Sequence, residues 1–355
     1  MSSRMRIGIT HGDINSISYE VIMKALLDPR IMEDCTPILY GSSKVAAYHR
    51  KTLNINNLSF NAIRSVEEAS PRKPNLINCI NDEVRVELGK STPQAGEAAF
   101  LALKKGVEDL KAGKIDALIT GPINKQNIQS EQFSFPGHTE YLAKEFGVND
   151  VLMFMVGETM RVGVVTGHVP LAEVPKLITA DKILSKLQLM SQSLKEDFAI
   201  SRPRIAVLGL NPHAGDQGII GREDMEIIQP ALQKAIEEGI LAFGPFPSDG
   251  FFGSGSFKKF DGILAMYHDQ GLIPFKALTY EGGVNFTAGL PVVRTSPAHG
   301  TAYELAGKNE ANEDSFRQAL YLACDIVKNR RLFKEISTNP LKHYELNDNS
   351  PATLQ

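Results

Sequence analysis

The sequence has no tryptophan and only three cysteines, Cys35, Cys79 and Cys324, which lie far apart and form no CxxC pair. Such spacing is typical of reduced cytosolic thiols and argues against a disulfide framework. No apolar run is long enough to cross a bilayer, and the first residues lack the apolar core of a signal peptide. We therefore expect a soluble cytoplasmic protein with no membrane partner.

An excess of charge of either sign is also missing. The chain has 38 Lys and Arg against 41 Asp and Glu, a formal net charge of -3, and no block of like charges. Nucleic acids and anionic membranes are bound by basic surfaces, so neither is expected as a partner. What remains is an ordinary globular composition in 355 residues, enough for two domains or one large α/β unit.

The glycine fingerprint of the standard dinucleotide-binding fold, GxGxxG after a strand, does not occur. The segment PFPSDGFFGSGSF, residues 245–257, contains GSGS between aromatic residues, and we expect a flexible or ligand-facing loop there. Any nicotinamide cofactor must therefore bind in a different way.

Short apolar runs alternate with amphipathic stretches along the chain. Strands are predicted at residues 6–10, 37–41, 116–120, 151–156, 162–165, 205–210 and 262–267. Helices are predicted at residues 19–27, 93–112, from 139, 181–198, 224–238 and 311–329. This alternation predicts the α/β class with a largely parallel sheet. Residues 51–92 suggest a small irregular sheet or excursion, and the chain becomes a polar tail from Asn339.

Three histidines, His168, His213 and His268, each follow a predicted strand. The carboxyl ends of strands in an open α/β sheet are where ligands bind, so side chains distant in sequence can meet there. Three imidazoles with an open position suit a catalytic divalent metal. A single histidine is more often structural, so the metal hypothesis depends on all three together.

Basic and amide side chains form a second group of candidates. Lys276, Asn285 and Arg294 lie in segments that follow the strand at 262–267. Lysine binds phosphate or carboxylate as a point charge and arginine binds them as a bidentate fork, although each residue alone is more often a solvated side chain. Lys125, in TGPINK, and the pair His138 and Thr139, at the start of a helix, are further candidates.

A series of segments in this order resembles one family, the 4-hydroxythreonine-4-phosphate dehydrogenases of pyridoxal phosphate biosynthesis. The segments are TGPINK, FPGHTEYLA, TGHVPL, GLNPHAG with GRED, YHDQGLIPFK, GGVNFTAGLPVVRTSPAHGTA and YELAGK, between about residues 117 and 308. The resemblance implies an isocitrate/isopropylmalate dehydrogenase-like two-domain α/β/α fold without the Rossmann GxGxxG. Residues 1–130 plus about 270–355 would form a cofactor-side domain, and about 131–269 a metal, substrate and dimerisation domain. It also implies a homodimer with an active site shared across subunits.

The resemblance assigns roles to particular residues. His168, His213 and His268 would bind one divalent metal ion, zinc, magnesium or cobalt. The substrate would be bound by His138, Thr139, Lys276, Asn285 and Arg294. NAD or NADP would be bound by Asn211, His299, Gly300 and Thr301.

The implied reaction is the oxidation of 4-phosphooxy-L-threonine to 2-amino-3-oxo-4-phosphooxybutanoate, which loses carbon dioxide to give 3-amino-2-oxopropyl phosphate. Asp269, Asp249 and Lys125 are candidates for the general base, and Asp269 is an equally good candidate for a residue that orients an imidazole. Three alternatives stay open: a dehydrogenase of a phosphorylated four-carbon sugar acid such as phosphothreonate or phosphoerythronate, a metal-dependent hydrolase, and a metabolite-binding protein without activity.

The chain departs from the family after its first strand. Where the family has a run similar to GDPAGIGPE, this sequence reads GDINSISYE, which keeps Gly12, Asp13 and Glu20 and loses the other glycines and the prolines. Glycines allow backbone to approach a ligand closely, so we expect an altered loop here, or an altered contact with substrate or cofactor.

Overall fold

The computed structural model describes residues 4–81, 83–279 and 282–339. Within them the strands are β1 (Met5–Thr10), β2 (Cys35–Gly41), β3 (Asn61–Ile63), β4 (Asn75–Asn78), β5 (Ala117–Thr120), β6 (Leu152–Val156), β7 (Arg161–Thr166), β8 (Arg204–Leu208), β9 (Leu241–Phe246), β10 (Gly262–Tyr267), β11 (Val284–Ala288) and β12 (Val293–Pro297). The helices are α1 (Ser18–Leu26), α2 (Ile31–Asp34), α3 (Ser43–Thr52), α4 (Pro93–Lys111), α5 (His138–Glu145), α6 (Val174–Leu177), α7 (Ala180–Glu196), α8 (Gln229–Glu237), α9 (Ser248–Gly253), α10 (His268–Thr279) and α11 (Asp314–Ser337). The predicted α/β class is confirmed, and the polar tail predicted after Asn339 lies outside the described residues.

The twelve described strands form one sheet in the order β3-β4-β2-β1-β5-β12-β11-β6-β7-β10-β8-β9. The strands from β3 to β12 are mutually parallel, and so are those from β7 to β9. Between the two sets, β12, β11, β6 and β7 pair in an antiparallel way. The two parallel sets therefore run in opposite directions, with β11 and β6 at the join.

Local sequence explains why the main elements form. The strand β5 is buried along its whole length and is preceded by Asp116, whose Oδ2 accepts from the N–H of Arg6 at 2.8 Å. At α4, the Oγ1 of Thr92 accepts from the N–H of Ala95 at 3.3 Å, and Pro93 occupies the first turn. Such a cap and such a proline are typical helix starts. One side of α4 then packs onto β1, β2 and β5.

Two sequence expectations need correction. Residues 51–92 do not form a separate sheet, because β3 and β4 extend the main sheet beside β2. The glycine-rich segment after β9 is not a flexible loop throughout, because it contains α9. Phe251 and Phe257 are buried there, and Phe251 packs against Phe246 at 5.2 Å between ring centroids. Buried aromatic side chains thus outweigh the glycines. Among the described helices, none is long and apolar enough to cross a membrane.

Candidate active site

The central antiparallel strands present polar side chains on one face of the sheet. Asn285 of β11 lies opposite Met155 of β6 and Ser296 of β12. Opposite residues in a ladder point to the same side, and so do residues two apart along a strand, which places Met153 and Arg294 on this face as well. A cavity of about 280 Å³ is lined by these five side chains. The candidate site thus lies over the join between the two oppositely directed strand sets.

Arg294 is the most deeply buried charge in this cavity, with 3% of its surface exposed. Its Nε and Nη2 donate to Thr120 Oγ1 at 3.0 and 2.7 Å, and its Nη1 donates to Thr287 Oγ1 at 3.1 Å. No carboxylate of the described residues lies within 4.0 Å of the guanidinium. Burial lowers the pKa of Arg294 to about 10. A buried cation without a counter-ion is unfavourable, so this position is suited to an anionic ligand.

The segment after β5 and the start of α5 line the cavity with Lys125, His138 and Thr139. Burial, and then the charges of Arg294 and Lys125, hold the pKa of His138 well below its usual range, so this imidazole is neutral. The Nε2 atoms of His138 and His299 and the Oδ1 of Asn285 are buried without a hydrogen-bond partner among the described residues. Buried polar atoms are nearly always paired in folded proteins, so these three are available to a bound molecule.

Two of the predicted metal ligands meet at the cavity. His168, after β7, and His268, after β10, have ring centroids 5.4 Å apart, and both line the cavity. Burial, and then Lys125 and His268, lower the pKa of His168, which favours the neutral, ligating form. The Nδ1 of His268 lies 2.7 Å from Asp269 Oδ1. A proton on this Nδ1 leaves the Nε2 lone pair free, as in metal-binding histidines with a carboxylate partner.

Comparison with known proteins identifies the family. The model of the family described as pyridoxal phosphate biosynthetic protein PdxA matches residues 33–323. The chain belongs to the PdxA family. A 4-hydroxythreonine-4-phosphate dehydrogenase from Bacteroides thetaiotaomicron is 54% identical over 351 residues, which cover 98% of this chain and 96% of the relative. The family resemblance inferred from the motifs is therefore confirmed, and it extends well beyond residues 117–308.

Other relatives agree on the family and differ in the activity for which they are named. The crystal structure of 4-hydroxythreonine-4-phosphate dehydrogenase from Klebsiella pneumoniae aligns with a TM-score of 0.81 at 32% identity, covering 92% of this chain and 98% of that one. A protein from Oceanobacillus iheyensis, provisionally named D-threonate 4-phosphate dehydrogenase, is 38% identical over 331 residues, 92% of this chain and 99% of the relative. Membership of the PdxA family thus leaves the phosphorylated substrate to be established.

The third predicted metal ligand, His213, does not line the cavity. It is exposed and begins a run of six residues, 213–218, that all have positive φ, with φ 54° at His213 itself. After β8 the chain enters this left-handed run, and His213 lies outside the cavity. The position of a histidine after a strand does not predict such a run. Within the described ranges, no three His, Cys, Asp or Glu side chains come together as a metal would require.

The structure divides the remaining candidates into two groups. Lys276, Asn285, His299 and Gly300 line the cavity, as the motifs implied. Those outside it are Asn211, Asp249, Asp269 and Thr301. Asn211 is engaged elsewhere, because its Nδ2 donates to Glu223 Oε2 at 2.8 Å and to Asp224 Oδ2 at 2.9 Å.

Sequence reasoning missed several lining residues. Thr120, Glu140, Met153, Met155 and Ser296 also face the cavity. Glu140 belongs to FPGHTEYLA and follows two candidate residues, a signal that was available. The methionines gave no signal, because they lie in a continuous apolar run, LMFMV, and such a run indicates a buried strand and not the presence of a ligand.

The altered loop GDINSISYE lies beside the cavity and does not line it. The side chain of Asn15 donates to Lys90 O at 2.9 Å and Thr92 Oγ1 at 3.1 Å, and accepts from the N–H of Glu87 at 2.7 Å. Asp13 Oδ2 accepts from Asn127 Nδ2 at 2.8 Å. The changed residue Asn15 and the retained Asp13 therefore both connect this loop to neighbouring segments of the protein.

A larger cavity, of about 760 Å³, lies between α7 and α11. Its buried carboxylate, Asp197, is paired with Arg330, whose Nε is 2.5 Å from Asp197 Oδ1. None of the described residues that line it is a histidine. Because Asp197 and Arg330 neutralise each other, this cavity is less suited to an anionic ligand than the one around Arg294.

Proposed function

We propose that this chain is a metal-dependent dehydrogenase that oxidises 4-phosphooxy-L-threonine with NAD or NADP, in the synthesis of pyridoxal 5'-phosphate. The product, 2-amino-3-oxo-4-phosphooxybutanoate, has a carboxylate β to a ketone and loses carbon dioxide to give 3-amino-2-oxopropyl phosphate. The observation that carries the proposal is the buried guanidinium of Arg294, which has no carboxylate of the described residues within 4.0 Å. The same cavity contains two neighbouring imidazoles.

The phosphate group would bind at Arg294, with Lys276 and Asn285 beside it. Among the described residues, neither Lys276 nor Lys125 has a carboxylate within 4.0 Å, so the cavity contains three cations without ion-pair partners. A phosphate dianion and a carboxylate together neutralise such a set. His138 and Thr139, which line the cavity from the first turn of α5, would complete the substrate contacts.

A divalent metal ion would be held by His168 and His268, with His213 as the third ligand. The residues fit such an ion, because the two imidazoles lie 5.4 Å apart between ring centroids at the cavity, and burial lowers the pKa of His168, which favours its neutral form. A bound divalent ion lowers the pKa of a coordinated hydroxyl group. Zinc, magnesium and cobalt are all compatible with this proposal.

Lys125 is the general base that the geometry favours. It alone among the three candidates lines the cavity, near both His138 and His168, whose pKa values its charge helps to lower. A lysine accepts a proton only as the neutral amine, so Lys125 would first lose its own proton. It would then take the proton of the substrate hydroxyl while hydride passes from the same carbon to the nicotinamide. Asp269, whose Oδ1 is 2.7 Å from His268 Nδ1, then has the orienting role.

The nicotinamide cofactor would approach along His299 and Gly300, which line the cavity. The carbonyl oxygen of the adjoining Thr301 accepts a hydrogen bond from the N–H of Ile17 at 3.2 Å, so this segment is anchored to the altered loop.

The two strand sets support the predicted cofactor-side domain, 1–130 plus about 270–355, and the metal, substrate and dimerisation domain, about 131–269. The first set contains β1 to β5 and β12, and the second contains β7 to β10.

The active site would be shared between the two subunits of a homodimer. β7, β10 and β8 are parallel neighbours, so the segments that follow them leave the sheet at one edge. These segments contain the three histidines and also expose Leu171, Ile219 and Ile273, at 69%, 81% and 65%. Exposed apolar residues on segments that leave the sheet at one edge support the proposal of an interaction surface there. A second copy that covers them would bring its own His213 toward His168 and His268.

The test is the near-ultraviolet absorbance of reduced nicotinamide when purified protein receives 4-phosphooxy-L-threonine and NAD or NADP, with and without a chelator. Metal-dependent reduction is expected. D-Threonate 4-phosphate is included in parallel, because a 38% identical relative bears that name. If only D-threonate 4-phosphate is oxidised, the sugar acid is the substrate in place of the amino acid. If nicotinamide is not reduced with either compound, the dehydrogenase proposal is wrong.

A further inference from the structure

We infer that Glu140 recognises the ammonium group of the substrate and so distinguishes an amino acid phosphate from the corresponding sugar acid phosphate. The inference rests on the proposed function, since it names a specificity residue within the same cavity. Glu140 lies in the first turn of α5 and is the only carboxylate among the described residues that line the cavity.

The carboxylate of Glu140 is not committed to another group. Within the described parts of the chain it makes no hydrogen bond and no ion pair within 4.0 Å. It is the third residue of α5, a position from which glutamate often accepts from the N–H of the helix N-cap. Here that N–H belongs to Gly137, and the bond is not made, although a Cβ built on Gly137 would lie 3.5 Å from Glu140 Oε2. The carboxylate is therefore free to accept from a ligand.

The position of Glu140 matches the charges of the proposed substrate. Lys125, Lys276 and Arg294 provide positive charge for a phosphate and a carboxylate. An amino acid phosphate also has one positive group, and Glu140 is the lining side chain of opposite sign. Its charge reaches the interior of the cavity, because it raises the pKa values of Arg294 and His168 against the effect of burial. A sugar acid has a neutral hydroxyl at the same carbon and gains no ion pair from this carboxylate.

This charge distribution predicts opposite effects on two ligands. Removal of the carboxylate deprives an ammonium of its partner. The same change lowers the negative potential that a sugar acid phosphate, which is wholly anionic, meets at the cavity mouth. A residue that merely stabilised α5 through its helix dipole would instead affect both ligands in the same direction.

The experiment is calorimetric titration of the metal-loaded protein with 4-phosphooxy-L-threonine and with D-threonate 4-phosphate, in wild type and in Glu140→Gln. We expect the dissociation constant of the amino acid to rise by up to about fivefold, as for the loss of one ion pair at an exposed side chain. The dissociation constant of the sugar acid should be unchanged or slightly lower. Glu145→Gln is the matched control, because Glu145 lies on the same helix, pairs with Lys111 and is outside the cavity.

Equal weakening of both ligands in Glu140→Gln, or no change in either, would overturn the inference. Thermal unfolding of the variants without ligand identifies any loss of helix stability. The Glu145 control, whose carboxylate lies at the other end of α5, should bind both ligands as the wild type does. Binding is measured independently of nicotinamide reduction. Failure of the proposed function, seen as binding without turnover in the wild type, is therefore distinguishable from failure of the Glu140 assignment.

Discussion

Arg294 combines burial, two threonine partners and the absence of a nearby carboxylate among the described residues. Arg294→Ala removes the charged fork that would bind phosphate. Charge-assisted bidentate contacts contribute on the order of 2–3 kcal/mol, so KM for the phosphorylated substrate should rise about 100-fold, with a smaller effect on kcat. Steady-state kinetics at saturating nicotinamide would measure both.

Arg294→Lys is the matched control for this change. It keeps the charge and removes the planar fork, so its KM should lie between those of the wild type and the alanine variant. Inorganic phosphate should raise the thermal unfolding temperature most in the wild type, less in Arg294→Lys and least in Arg294→Ala. A near-normal KM in Arg294→Ala would disprove the phosphate-binding role.

For single residues, the sequence predicted which side chains line the cavity better than it predicted how those side chains are buried and bonded. Lys276, Asn285 and Arg294 were recognisable from residue type and motif, and all three line the cavity. The burial of Arg294 was not predictable, because Thr120 and Thr287 come from other strands. The location of His213 outside the cavity was not predictable either. The five residues after it, 214–218, all have positive φ, and no sequence pattern requires that conformation.

Among the secondary structure elements, apolar runs predicted most strands well, including β5 and β10. The alternation of strands and helices predicted a largely parallel sheet, but the apolar runs could not predict which strands pair in an antiparallel way, because burial is the same for both kinds of neighbour. The reversal at β11 and β6 places the cavity on a face of the sheet, whereas the sequence argument placed ligands at strand ends. This is why Met153 and Met155 were missed while the histidines after β7 and β10 were found.

The loop between β1 and α1 should affect stability more than substrate binding. Asn15 is buried, and its side chain makes three hydrogen bonds to segments around Glu87 and Thr92. Asn15→Ala should lower the free energy of unfolding by roughly 2–3 kcal/mol, since each buried bond contributes about 1 kcal/mol. Urea unfolding measures this change, and KM should stay within about twofold at a temperature where the variant is folded.

Asn81→Ala is the control for this loop, because Asn81 is exposed and its Oδ1 accepts one local bond, from the N–H of Glu83. Its effect on stability should be below about 0.5 kcal/mol. A large rise in KM for Asn15→Ala without loss of stability would show that the altered loop contacts the substrate, contrary to the structure.

For the whole molecule, buried histidines outside the cavity make stability depend on pH. His11 and His49 stack on either side of Tyr19, at 5.4 and 4.8 Å between ring centroids, and burial lowers the pKa of each to about 4. Between pH 6.5, the ordinary histidine value, and pH 4, the unfolded chain binds protons that the folded chain does not. Stability is therefore complete above pH 6.5 and falls as the pH decreases, by on the order of 3 kcal/mol for each histidine.

Urea unfolding at pH 7.5, 6 and 5 would measure this dependence. His49→Gln retains a donor for the carbonyl of Ile14, which His49 Nε2 contacts at 2.8 Å, and removes one titrating group. Its stability should decrease less steeply with falling pH than that of the wild type. Identical slopes in the two proteins would mean that other groups cause the loss.

The proposed sharing of the site between two subunits makes a prediction that only the assembled molecule can test. If His213 of one subunit joins His168 and His268 of the other, then His213→Ala and His268→Ala should each lack metal-dependent activity alone. A mixed dimer would contain one site with all three imidazoles and one site that lacks two. After denaturation and refolding of an equal mixture, half of the dimers should be mixed, so about a quarter of wild-type activity and metal content should return. Refolded single variants serve as controls. If all three ligands came from one chain, every site in the mixture would lack one imidazole, and no activity would return.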